Sequence, residues 1–273
     1  DAQAQLGQPP GQLVGQQLPA VPTCLTRLDG QPLLGINDNP DANAGVLAGH
    51  PPADAKRLMQ AASDEVADSQ LFAAELKKWL ETQGAAEFRM SSDARSLVTR
   101  NGRVHGVVVD GEDVGADAVV VCLGAWAQAF LNPVGINPHI VPVRGYSITL
   151  PPGPSAPHVS VTALKYKMVY SRLNGATRIA GFADFTGFDT SADDQRIGML
   201  SQIAEQFAPQ AAQYDAAEAK TWGGFRPMTP DGRPLVGATK VPGLFVNVGH
   251  GMLGWTLACA TARDAAQAVA GVR

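Results

Sequence analysis

Between Ser69 and Glu81 the apolar residues Leu71, Phe72, Leu76, Trp79 and Leu80 recur on one helical stripe, and Gly84 follows as a stop signal. The spacing predicts an amphipathic helix that packs on a sheet. The period then changes. Residues 87–90, 95–99 and 104–109 are short runs rich in β-formers, and Asn101-Gly102 between the last two is a two-residue hairpin signal. Residues 118–123 form an almost unbroken apolar run that ends at Gly124, which predicts a strand buried on both faces of a parallel sheet. Ligands gather where such strands end.

Beyond Pro142 the strand pattern returns at residues 143–150, 159–162, 166–173 and 177–182, broken by Pro151-Pro-Gly-Pro and Asn174-Gly. This reads as an antiparallel sheet of a second domain. Residues 191–207 predict a helix with Ile197, Leu200, Ile203, Ala204 and Phe207 at helical spacing. After Gly223 come two strand-like runs, 234–236 and 244–248, then glycines, then an alanine-rich closing helix over 255–270. Residues 1–57 are rich in Gln, Pro and Gly and hold neither period, so they read as an irregular lead segment without a core of its own.

Composition narrows the function classes. With 273 residues and 45% hydrophobic content the chain is long enough for one large or two small cores. A net charge of −4 with scattered Lys and Arg offers no basic face, which argues against nucleic acid as a partner. Cys24, Cys122 and Cys259 are far apart and odd in number, so neither a disulfide framework nor a metal site is suggested, and a reducing, cytoplasmic compartment fits. No apolar run reaches the roughly 18–20 residues of a membrane span. Any membrane contact is expected to be peripheral.

The strongest chemical signal is the strand-like run 244–248 passing through Gly249, Gly251 and Gly254 into a helix. A helix start presents unpaired amides and a positive dipole end, and glycines let the backbone approach a ligand closely. A glycine-rich turn without a ligand is the plain alternative.

Two blocks carry a resemblance: Trp222-Gly-Gly-Phe-Arg-Pro-Met-Thr-Pro-Asp-Gly-Arg-Pro-Leu-Val-Gly and Asn247-Val-Gly-His-Gly-Met-Leu-Gly-Trp-Thr-Leu-Ala-Cys. They resemble the C-terminal signature of the FAD-dependent D-amino-acid oxidase superfamily, and within it the D-amino acid dehydrogenase branch. Residues 64–72, Val121-Cys-Leu-Gly-Ala-Trp, Pro142-Val-Arg-Gly-Tyr-Ser and Tyr166-Lys-Met-Val-Tyr-Ser-Arg extend the likeness over about residues 60–271. The resemblance implies an α/β (α+β) fold: a partial FAD-binding Rossmann-like domain and an antiparallel-sheet substrate domain. The expected division is a lead segment at 1–57, the remainder of the FAD-binding domain at 58–141, the substrate domain at 142–222 and a closing segment of the FAD-binding domain at 223–273.

The resemblance also implies roles. Gly249, His250, Gly251, Met252, Gly254, Trp255 and Thr256 would lie against the flavin, as would Gly124, Ala125 and Trp126, with the backbone of Ala94 against adenine. Arg226 would bind the substrate carboxylate, with Tyr166, Tyr170 and His250 as further contacts. Simpler roles stand beside these: Arg226 bonded to Asp231 or to loop carbonyls, Tyr166 and Tyr170 as sheet packing, and His250 as a surface histidine. Arg144 matches a family loop near the flavin, although a lone loop arginine is more often a solvated charge.

The implied reaction is oxidation of a D-amino acid to a 2-oxo acid and ammonia, by hydride transfer to the flavin, with a respiratory quinone as electron acceptor and peripheral contact with the inner face of the cytoplasmic membrane. The first half of the family's length has no counterpart here. No Gly-x-Gly-x-x-Gly is read after a strand, and no acidic residue at the end of a following strand, so the nucleotide-binding unit is expected to be missing. The rival readings are a glycine, sarcosine or proline oxidising relative, and a non-catalytic truncated remnant or partner subunit.

Overall fold

The structure, a computed structural model, describes residues 35–37, 58–60, 66–191 and 193–271. Most of the 1–57 lead segment, Cys24 included, lies outside these residues. In chain order the elements are β1 (Gly35–Asn37), β2 (Leu58–Gln60), α1 (Ser69–Thr82), β3 (Ala94–Arg100), β4 (Arg103–Val109), β5 (Glu112–Gly115), β6 (Val119–Val121) and α2 (Ala127–Leu131). They continue with β7 (Val141–Leu150), β8 (Val161–Ala163), β9 (Met168–Leu173), β10 (Ala176–Asp184), α3 (Asp193–Phe207), β11 (Lys220–Met228), β12 (Leu235–Ala238), β13 (Leu244–Val248) and α4 (Gly254–Gly271). β1 and β2 pair antiparallel.

The described residues form two compact units, one holding 90–140 and 227–271 and the other holding the described residues up to 89 together with 141–226. The block expected at 58–141 is therefore divided at Met90. The boundary expected after residue 222 falls after Arg226, because β11 is hydrogen-bonded into the second unit's sheet.

In the first unit, β3, β4 and β5 form a meander. Its two turns, Asn101-Gly102 and Asp110-Gly111, have positive φ at all four residues, the conformation that matches the twist of a tight hairpin. β12, β13 and β6 form a second sheet in which β13 and β6 run parallel. Val119 and Val121 pack with Leu244, Val246, Val248, Ala127, Leu131 and Ile140. Val120 is 41% exposed, which corrects the expectation of a strand buried on both faces. Burial of each such aliphatic side chain contributes about 1.5–3 kcal/mol.

The second unit is built on a five-stranded sheet in the order β11-β7-β10-β9-β8, with antiparallel pairing from β7 through β10 and β9 to β8. Helix α3 covers one face through Ile197, Leu200 and Ala204, against Tyr146, Ile148, Leu150, Met168, Tyr170 and Ile179. Side chains alternate along a strand, so Gly145 and Ser147 of β7 look to the opposite face. β11 was not anticipated as a strand; Gly223 and Gly224 interrupt its apolar pattern.

Two further expectations change. Residues 87–90 are irregular rather than a strand, and Phe88 lies under the Lys77 ammonium, 5.1 Å from it. α1 forms where predicted, capped by Asp68, whose carboxylate accepts from the Gln70 and Leu71 amides. It buries none of its residues among the described ones, and Leu71 and Leu76 are exposed.

Candidate functional site

β6 and β13 are parallel, with Val119 beside Leu244 and Val121 beside Val246, so both strands end at the same edge of their sheet. Each then enters a turn with left-handed backbone: φ is 53° at Gly124 after β6, and 81° at Gly249 and 54° at Gly251 after β13. Glycine adopts these angles without a Cβ penalty. The second turn is pinned. Met228 and His250 form an antiparallel bridge, the Gly251 amide donates to Pro227 O at 3.0 Å, and the Leu253 amide donates to His250 O at 3.0 Å. A Cβ at Gly249 would strike Thr229 at 2.6 Å and one at Gly251 would strike Met228 Sδ at 2.8 Å.

α4 starts at Gly254, so the turn delivers the chain to a helix N-terminus with its donor amides and positive dipole end. Gly249-x-Gly251-x-x-Gly254 is a Gly-x-Gly-x-x-Gly directly after a strand, which corrects the expectation that none is present. It lies here between a strand and a helix, the context in which the spacing acquires anion-binding meaning. The signal was visible in the sequence.

The His250 ring lies 3.1 Å from Thr261 Oγ1 through Nε2. The Thr261 hydroxyl also lies 3.0 Å from Leu257 O; when it donates there, it accepts from the histidine Nε2–H. Desolvation holds the imidazole below its ordinary pKa, favouring the neutral ring. Of the other turn residues, Ala125 is buried, whereas Trp126, Met252, Trp255 and Thr256 are exposed. Ala94 opens β3 opposite Val109, in the meander rather than in the glycine turns. Among the described residues, two buried side-chain oxygens have no hydrogen-bond partner: Gln128 Oε1, two residues after Trp126, and Asn247 Oδ1, two residues before Gly249.

In the second unit Arg226 extends from β11 and donates from Nη1 to Phe182 O of β10 at 2.9 Å. Phe182 sits at an irregularity in the β10–β7 register, where Gly181 pairs with Tyr146 but Asp184 pairs with Arg144, and its φ is 61°. No carboxylate pairs with Arg226 among the described residues. Asp231 accepts from the Arg233 amide instead. Desolvation lowers the Arg226 pKa, the mark of a cation kept from water.

The tyrosines lie elsewhere. Tyr170 is 2% exposed beneath α3, and its hydroxyl donates to Ala204 O at 2.9 Å; burial, with the neighbouring Tyr214 hydroxyl, drives its pKa up. Tyr166 lies in the β8–β9 turn, edge-on to Phe207 at 5.6 Å. Both belong to the α3 face, whereas Arg226 lies against Gly145 on the other face, so neither tyrosine is brought to the arginine. Their role is core packing. Arg144 is buried, forms an ion pair with Asp193 and lies 4.4 Å over the Phe225 ring; it is not a solvated loop charge. Asp184 accepts from Tyr146 at 3.0 Å and from Arg196 at 2.6 and 2.7 Å.

Comparison with known proteins bears on both units. D-amino acid dehydrogenase of Vibrio cholerae serotype O1 is 38% identical over 201 residues, covering 73% of this chain and 47% of that protein. The chain thus spans about half the length of the curated relatives it matches. Among solved structures, L-amino acid deaminase from Proteus vulgaris superposes with a TM-score of 0.69 at 19% identity, over 88% of this chain and 60% of that one. Iminodiacetate oxidase from Chelativorans sp. BNC1 gives 0.60 at 25% identity, over 74% and 55%. The FAD dependent oxidoreductase (DAO) family matches residues 40–268, and the chain belongs to that family, whose cofactor is FAD.

Proposed function

We propose that the chain carries the substrate-binding sheet and the flavin-edge turns of an FAD-dependent D-amino acid dehydrogenase. Arg226 carries the reading: a half-buried guanidinium, tied to one carbonyl and lacking a carboxylate partner among the described residues. A cation withdrawn from water is stabilised by an anion, and the planar guanidinium fork matches a carboxylate through two parallel hydrogen bonds. An amino acid supplies that group.

The residues at the ends of β6 and β13 fit FAD. The glycine turns allow close approach of a planar ring, and the start of α4 favours negative charge at the ring's edge. Gln128 Oε1 and Asn247 Oδ1 are acceptors that still need donors, which a flavin offers through its ring N–H and its ribityl hydroxyls. The chemistry that FAD would supply there is that of an acceptor for the substrate's α-hydrogen and its electron pair. The chain's own contribution is orientation. Arg226 fixes the carboxylate and thereby Cα. An amine that enters unprotonated needs no dedicated base. The imine product hydrolyses to a 2-oxo acid and ammonia, and the electrons pass to a membrane quinone. No helix among the described residues is long and apolar enough to cross a membrane.

The test is anaerobic bleaching of the FAD-loaded chain by D-alanine, L-alanine, glycine and sarcosine. D-Alanine is expected to bleach fastest. Bleaching by sarcosine or glycine alone would move the protein to another branch of its family, and bleaching by none would sink an autonomous enzyme. Arg226→Ala is expected to raise the half-saturating D-alanine concentration on the order of 100-fold with flavin still bound. Unchanged saturation would remove Arg226 from the carboxylate site.

A further inference from the structure

Arg226 does not reach into open space. From β11 its side chain crosses β7 and ends at β10. A Cβ built on Gly145 of β7 would lie 2.1 Å from Arg226 Nη1, 2.4 Å from Cζ and 2.6 Å from Nη2, so the guanidinium rests directly on the glycine. Beyond it stands the Phe182 carbonyl, turned toward Nη1 by the bulge and the left-handed φ at that residue.

We infer that Gly145 and the bulged Phe182 form a seat that sets the position of the Arg226 fork, making Gly145 a positioning residue for carboxylate recognition. The inference rests on Arg226 as the carboxylate ligand but concerns how it is aimed. The seat has two parts with different physics. Gly145 supplies absence: any side chain there would fill the space the guanidinium occupies. Phe182 supplies one acceptor, which engages Nη1 and leaves Nη2 and the rest of the fork for a ligand. A bulge is needed because in a regular β10–β7 ladder this carbonyl would lie in the plane of the sheet's own hydrogen bonds. Arginine side chains are long and lose much rotamer freedom when fixed, so a preformed seat lowers the ordering cost at the moment of binding.

The three nearest atoms to the added Cβ all belong to the guanidinium, the far end of a flexible side chain. Gly145→Ala is therefore expected to fold and to displace Arg226 rather than the strand. Two measurements on the full chain test this. The first is the Arg226 Nε–H signal in 15N NMR spectra, assigned by its loss in Arg226→Ala. It is expected to shift and to exchange faster with water in Gly145→Ala; an unmoved signal in a folded variant overturns the seat.

The second is a double-mutant cycle in binding of D-alanine, with D-alaninamide as the neutral counterpart. Gly145→Ala is expected to weaken D-alanine about tenfold or more in the parent and not at all in the Arg226→Ala background. An equal loss in both backgrounds means that Gly145 acts elsewhere, and it overturns the inference. A displaced Arg226 signal with unchanged D-alanine affinity leaves the seat standing as structure but defeats both its role in recognition and the carboxylate reading. Should Gly145→Ala fail to fold while Gly145→Ala/Arg226→Ala folds, the arginine is identified as the obstacle, which supports the seat.

Discussion

The two longest helices among the described residues, α3 and α4, do opposite things. In the second unit α3 buries Ile197, Leu200 and Ala204, and two tyrosine hydroxyls close over its carbonyls, Tyr170 on Ala204 O and Tyr214 on Ala204 O and Ala208 O. In the first unit the longer α4 buries only Thr261 and Ala265, and the turn before it leaves Met252 71% exposed and Leu253 also exposed. The first arrangement completes a core, and the second presents a helix start. A region that satisfies itself is built for stability. One that keeps apolar surface uncovered and acceptors unpaired gains from what it binds.

The largest expected effect sharpens this contrast. Leu200→Ala removes a fully buried side chain under α3, and Gly181 gives the remaining void no side chain to collapse into. A loss of about 2–5 kcal/mol is expected in denaturant unfolding. Leu257→Ala, half-buried on α4, is expected to cost clearly less. Equal losses would mean that α4 is as firmly packed as α3, and the contrast would fail.

A smaller effect separates packing from chemistry within the second unit. Tyr170→Phe deletes one hydrogen bond to Ala204 O, which still accepts from Tyr214 at 3.2 Å and from the Ala208 amide at 2.9 Å. A cost of about 1 kcal/mol is expected, with D-alanine binding unchanged. Loss of binding at normal stability would return Tyr170 to the ligand site.

These placements show what was legible in the sequence. The helix periods at α1 and α3, the Asn101-Gly102 hairpin and the β13–glycine–α4 passage rest on local rules, and each element formed. Which face a residue takes is not local. Tyr166, Met168 and Tyr170 share a strand spacing, yet only the sheet order shows that Tyr170 lies beneath α3 while Arg226 lies on the other side. Likewise the Leu71 and Leu76 stripe predicts a helix but not what covers it. Arg226 was identifiable from its motif. Its seat was not, since it joins β7, β10 and β11 through a bulge that no composition rule announces.

The smallest effect concerns the glycine turn of the first unit. His250 is partly desolvated, which disfavours the charged form of its ring. The imidazole pKa is lowered from its ordinary 6.5 in the folded chain. Above that value both folded and unfolded histidine are neutral and stability is complete. As pH falls below it the unfolded chain takes the proton first, so the native state loses stability until the folded ring is protonated as well. An NMR titration of the His250 ring is expected to show a midpoint below 6.5. His250→Gln should remove the matching part of the stability loss between about pH 7 and about pH 5. A midpoint at or above the ordinary value would mean that the turn is open to water or faces an anion, and the picture of a desolvated, neutral ring at the start of α4 would have to be abandoned.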